Sequence, residues 1–411
     1  MNAPGLPNSP DLITHTGSNN LTVTASALAT VPLVQAHLAI PLPLRDANDL
    51  AVLDVLAACW PDLPACARFE QHGGTVGISR RNQWLMLSLS CTADRLLLLA
   101  ETLTAIVAAA YTPDLVGGAV SKSVQQAGLV DAQPGVYSIR RMWELYYGHL
   151  PAFADPAPRL DLVSKVTADQ VADAHRRHLS PHDAHLVIVG DLEPNQAATI
   201  LGDALAHWSA PSSDDTAFRA PARAANRLIV DDDRPEWRQS HIRLAAASPT
   251  RQDQRAFAAA QIASLVLGGS LSSRITTTLR EEKGLAYRAS ASLTDHLDQD
   301  LLVIEADVDP VGSREAMTLL SKLLADFATE GPTEHELATA VTYIAGKYAL
   351  NLGSQGGRAA CVLSYLTAGI PLAGISGLIE DMKALTREDV RSAAAFYHPD
   401  QVSGLICGPQ P

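Results

Sequence analysis

Apolar residues along the chain fall into two series of strand-like and helix-like stretches that follow the same order. In the first, positions 46–60 carry Leu50, Val52, Leu53, Val55 and Leu56 with little polar face, which predicts a buried helix. His72-Gly73-Gly74 then turns into a short strand at 75–79, and residues 81–83 turn again. Positions 84–91 alternate, placing Leu85, Leu87, Leu89 and Cys91 on one side of a strand, and a helix is expected over 93–110. In the second series a helix over 254–267 breaks at Gly268-Gly269-Ser270. A further helix over 272–282 ends at Gly284, which suits a left-handed C-cap. Strands at 287–293 and 301–308 form a hairpin across 294–300, and a helix over 313–330 closes the pattern.

Both series end alike. Thr167 and Thr386 each cap a short helix with an acidic residue in its first turn. Pro181 and Pro399 stop those helices, and an apolar strand then runs to Gly190 or Gly408. Two ordered matches 218 positions apart indicate two copies of one domain. Strands followed by long helices, without regular β-α-β alternation, predict an α+β class with mainly antiparallel sheets. The expected division is a disordered segment 1–25, a domain 26–206, a linker 207–226 rich in Ser, Asp, Pro and Ala, and a domain 227–411.

Composition narrows the function classes. The formal charge of -13 and the lack of a basic run argue against nucleic-acid binding. Cys59, Cys66, Cys91, Cys361 and Cys407 show no C-x-x-C spacing, so neither a redox nor a thiolate-zinc motif is present. Residues 1–20 lack a basic start and an apolar core, and no stretch reads as a membrane span. A reduced, cytoplasmic protein with no membrane partner is the expectation.

One segment carries specific chemistry. Gly268-Gly269-Ser270-Leu271-Ser272-Ser273-Arg274, followed by Leu279-Arg280-Glu281-Glu282-Lys283-Gly284-Leu285-Ala286-Tyr287, closely resembles the C-terminal-half signature of pitrilysin/insulinase-type metallopeptidases. Gly73-Gly74, Tyr147-Gly148-His149 and Val187-Ile188-Val189-Gly190-Asp191 resemble the same family in order, so the likeness runs over roughly residues 25–411. The resemblance implies two homologous domains arranged as half of a clamshell. Active members carry H-x-x-E-H on the first helix, where two His one turn apart hold zinc and the Glu serves as general base. Here Ala51 and Val55 stand at the ligand positions and Asp54 at the base position, and 115–130 holds no Asp or Glu for a third ligand.

The resemblance therefore implies no metal and no cofactor in this chain, with zinc in a homologous peptidase subunit that acts on a peptide substrate. Arg280 and Tyr287 would be the catalytic contribution, holding the scissile peptide and stabilising charge on its carbonyl oxygen. Their plain alternative is an Arg paired with neighbouring Glu residues and a core Tyr. For the whole chain, the alternative is a non-catalytic scaffold or peptide-binding protein. His175, His178, His182 and His185 form a second cluster within eleven residues. They divide between a helix face, a loop and a strand, and cations near a helix C-terminus need no metal to explain them. The glycines at 268, 269, 353, 356 and 357 match no phosphate-loop pattern.

Overall fold

The predicted strands assemble into two sheets, in two units that each draw one helix from the opposite half of the chain. The computed structural model describes residues 12–42, 46–81, 83–148, 159–209, 223–224 and 228–409. One unit comprises Met1–Gly128, Pro158–Phe218 and Lys347–Gly377, and the other Leu129–Ala157, Arg219–Gly346 and Leu378–Pro411.

In the first unit, β1 (Leu12–Thr16), β2 (Thr22–Ala27), β3 (Leu33–Pro41), β4 (Thr75–Arg81), β5 (Trp84–Thr92) and β6 (His185–Gly190) form a sheet ordered β1-β2-β6-β3-β5-β4. β6 runs parallel to β2, and the other neighbours are antiparallel. In the second unit, β7 (Ile229–Asp233), β8 (Ser240–Ala247), β9 (Ala286–His296), β10 (Gln299–Val308) and β11 (Val402–Gly408) are ordered β7-β11-β8-β10-β9. There β11 is parallel to β7 and the rest are antiparallel. Strand for strand, β2-β6-β3-β5-β4 and β7-β11-β8-β10-β9 share order and direction. The duplication legible at the domain ends thus covers both sheets. Helices Ala168–His178 and Arg387–Ala394 also match, each opening on a capping box, Thr167 with Gln170 and Thr386 with Asp389.

β6 and β11 are apolar without alternation because both faces of each are covered. One face meets the unit's own helices. On the other, helix Gln355–Thr367 packs on β3 and β6, and helix Pro134–Tyr147 packs on β8 and β11. The first of these contacts is apolar: Ala359, Val362 and Leu363 meet Ala39, Val187 and Val189. Each fully buried Val or Leu there contributes about 1.5–3 kcal/mol. The second is polar. Tyr137 donates to Asp232 at 3.0 Å, and the buried Arg243 donates to Asp307 at 2.8 Å.

Three expectations need correction. β1 and β2 occupy part of the segment 1–25 read as disordered; residues 1–11 lie outside the described ones. Thr22, Thr24 and Ser26 make β2 look like a polar loop, yet Leu21, Val23 and Ala25 are buried on one face and Thr24 and Ser26 on the other. The hairpin turn is also tighter than 294–300. Its corner is Leu297 and Asp298, at φ 52° and 57°, and the strands extend to His296 and Gln299. Finally, Gln254–Glu282, taken through its irregular turns, is long and apolar enough to cross a membrane by length and composition. More than half of its most apolar window is buried inside the protein, as in a core helix. The expected linker 207–226 falls largely outside the described residues.

Candidate functional site

The first helix, Ala47–Cys59, starts on Asp46, whose carboxylate accepts from the N–H groups of Asn48 and Asp49. Its Ala51 and Val55 are 1% and 0% exposed, packed as core methyl groups. Asp54 points to β4 instead, where Arg80 Nε lies 3.3 Å from its Oδ1. Burial pushes the Asp54 carboxyl up, and the charge and hydrogen bond of Arg80 oppose that rise. A zinc ion would need lone pairs where this helix presents Ala51 and Val55, so the donor set does not fit the metal. Among the described residues, no three His, Cys, Asp or Glu side chains come together as a metal-binding group.

Arg280 and Tyr287 are brought together. The segment begins as helix Gln254–Ser264 and widens into a π-turn at Leu265–Gly269, where it presses against β9. A Cβ on Gly268 would sit 2.2 Å from Ala291 N, so only glycine fits. Ser264 Oγ donates to Ala291 O, and Thr276 Oγ1 donates to Ala289 O, which fastens the segment to the strand. Arg274 anchors the next turn through two 2.7 Å hydrogen bonds to Glu336 and lies over the Phe327 ring.

A second π-turn, Thr277–Glu282, follows. It ends at Gly284, whose φ of +62° lets Gly284 N donate to Arg280 O and Leu285 N to Leu279 O. The chain then enters β9, and the Arg280 guanidinium carbon sits 5.5 Å from the Tyr287 ring centroid. Tyr287 is 84% exposed and Arg280 is exposed as well, so Tyr287 is not a core aromatic. Wide helical turns are often found at functional sites. Two donors in fixed proximity can stabilise an oxyanion, and they do so effectively only where water is excluded.

The histidines do not converge. His175 Nδ1 accepts from Tyr111 Oη–H at 2.8 Å and its Nε2–H donates to Val107 O at 2.9 Å, while Tyr111 accepts from Trp60 Nε1. Both ring nitrogens are committed to protein partners, and burial lowers the pKa, as for a structural histidine. His178 is buried 3.8 Å from Asp49, His182 pairs with Asp183 at the surface, and the His185 ring lies tilted against that of Trp84. A half-open cavity of about 590 Å³, lined by Val107, Asp173, Arg176, Arg177, Leu179 and Trp208, adjoins them. Sequence reasoning did not foresee it, since its walls come from segments about 100 positions apart.

A family signature described as "Peptidase M16 inactive domain" matches residues 165–343. Structure comparison finds the same architecture. A peptidase M16 inactive domain from Pseudomonas fluorescens superposes with a TM-score of 0.86 over 98% of both chains, at 19% identity. Over residues 165–343 the chain is thus similar to M16 peptidases, and it shares the fold of this neighbour. A protease from Helicobacter pylori gives a TM-score of 0.86 over 97% of this chain and 100% of that one, at 16% identity. In sequence, the chain is 28% identical to an uncharacterized zinc protease of Streptomyces coelicolor over 61% of its length and 55% of that protein. It is 20% identical to a non-peptidase homolog of Helicobacter pylori over 56% of its length and 52% of that protein. These alignments span about half the length of the curated relatives. The matched signature covers Arg280 and Tyr287.

Proposed function

We propose that this chain is the zinc-less subunit of a two-subunit zinc metalloendopeptidase. The observation that carries the reading is the exposed Arg280–Tyr287 pair in a chain whose first helix offers methyl groups at the ligand positions. A homologous partner with an intact H-x-x-E-H would supply zinc, water and general base. This chain would supply two donors: the Arg280 guanidinium to orient the scissile carbonyl, and the Tyr287 hydroxyl to strengthen its hydrogen bond as the oxygen gains charge. The exposure of both groups supports a role completed by a covering partner, because donors open to water stabilise an oxyanion weakly. The extended peptide would add a strand to a sheet edge of that partner, and the assembly would work in the cytoplasm.

Reconstitution with a zinc-bearing M16 subunit tests the proposal. Arg280→Ala and Tyr287→Phe should each lower turnover on the order of 10²-fold, with assembly, followed by size-exclusion chromatography, unchanged. Full turnover in both variants would sink the catalytic role and favour a non-catalytic scaffold or peptide-binding protein.

A further inference from the structure

Under helix Gln355–Thr367 the first sheet carries two histidines. His37 on β3 stands opposite Val187, and His185 on β6 stands opposite Ala39. Side chains two apart share a face of a strand, so both rings lie on the face where Ala39 and Val187 meet the helix. His37 Nε2 and His185 Nδ1 are each shut off from solvent with no hydrogen-bond partner. The His185 ring lies 5.8 Å from that of Trp84, which packs on the same cluster. Burial lowers the pKa of both histidines, against an upward pull from Asp183 on His185.

The surroundings oppose protonation. The helix contributes the buried Arg358, which donates to Leu352 O, Ser26 Oγ and Ala27 O, all neutral acceptors. Its Cys361 thiol, pushed up to about 11 by burial, stays neutral, and Tyr365 packs beside it. β3 adds Gln35, whose amide donates to Ser90, and β5 adds Ser88 opposite His37. Asp183, before β6, is exposed and already paired with His182. Protons on His37 and His185 would place two further cations on a face that already holds a desolvated guanidinium.

We propose that helix Gln355–Thr367 is an acid-sensitive clasp, released from the first sheet when His37 and His185 take up protons. This holds whatever Arg280 and Tyr287 do. Docking selects the neutral rings, so its contribution is complete above the unfolded-state histidine pKa of about 6.5 and is lost as pH falls below it. The matching helix Pro134–Tyr147 is a built-in control. It packs on β8, whose His241 and Arg243 are paired with Asp307, and its Trp143 and Tyr147 contact His296. Burial pushes the Asp307 carboxyl up, but His241 and Arg243 outweigh that and hold it far below the usual range. These two histidines have hydrogen-bond partners at their Nδ1 atoms, whereas His37 Nε2 and His185 Nδ1 have none.

Hydrogen exchange on the full chain, corrected for the intrinsic pH dependence of exchange, tests the clasp. Between about pH 7.5 and about pH 5, protection of 355–367 should fall roughly tenfold more than protection of 134–147. The double variant H37Q/H185Q should lose this difference. The single variants H37Q and H185Q should each retain part of it, and they carry the test if the double variant does not fold. Equal loss of protection in both helices of the parent protein, or an unchanged response in the variants, overturns the proposal.

Discussion

Asp54 keeps a carboxylate at the place of a general base, yet its neighbours Ala51 and Val55 are core residues and its partner is Arg80. Asp54→Asn should therefore leave turnover of a reconstituted complex unchanged, while lowering the urea midpoint by removing the counter-ion of a mostly buried guanidinium. A larger electrostatic commitment lies at Arg274 and Glu336, which hold the segment bearing Arg280. Burial pushes the Glu336 carboxyl up, but the hydrogen bonds from Arg274 and the Thr333 N–H outweigh this and hold it at about 2. A carboxyl depressed on folding stabilises the protein above its unfolded pKa of about 4.3, and that contribution disappears as pH falls through about 2. Glu336→Gln should thus flatten the acid limb of the stability curve in this window and lower stability at neutral pH by about 1–3 kcal/mol. Denaturant titrations at several pH values give both quantities.

At the scale of elements, the two exchanged helices solve one packing problem with different chemistry. Under Gln355–Thr367, β3 and β5 pair Gln35 with Ser90 and His37 with Ser88. Under Pro134–Tyr147, β8 and β10 pair His241 with Asp307 and Arg243 with Glu305. These polar pairs form a cross-strand ladder in which the Arg243 guanidinium is almost fully desolvated. Arg243→Leu should accordingly destabilise the second unit by about 3–5 kcal/mol, because Asp307 and Glu305 would keep their charges without the guanidinium. A shifted denaturation midpoint with helix 134–147 exchanging first would show it. The alternating strands and the capped helices were legible in the sequence, since Leu85 to Cys91 and Thr167 to Gln170 declare their structure within a few residues. β2 was not, because Thr22, Thr24 and Ser26 look solvent-facing, yet Thr24 and Ser26 are buried, Ser26 against Arg358 of a helix more than 300 positions away.

The whole molecule is a duplication in which each copy is incomplete alone. Without 347–377, the first unit loses Leu352, Val362, Leu363 and Ile375 from the face formed by Ala39, Val187 and Val189. Fragments 1–206 and 227–411 should each fail to fold cooperatively when expressed separately and should recover structure when co-expressed, as read by circular dichroism and hydrogen exchange. A cooperative thermal transition in an isolated fragment would show that the exchanged helix is dispensable.

Read alone, the sequence determined the α+β class, the doubled pattern, the missing imidazoles at 51 and 55, and the spacing of Arg280 and Tyr287. Those properties are local: side-chain period, capping chemistry and donor identity are set within a turn or two of chain. Only the tertiary structure decided that the units exchange helices, that Asp54 is tied to Arg80, and that two π-turns and Gly284 bring Arg280 over the Tyr287 ring. Such facts depend on which surfaces remain uncovered once each half has formed its own elements, and burial between distant segments leaves no periodic trace along the chain.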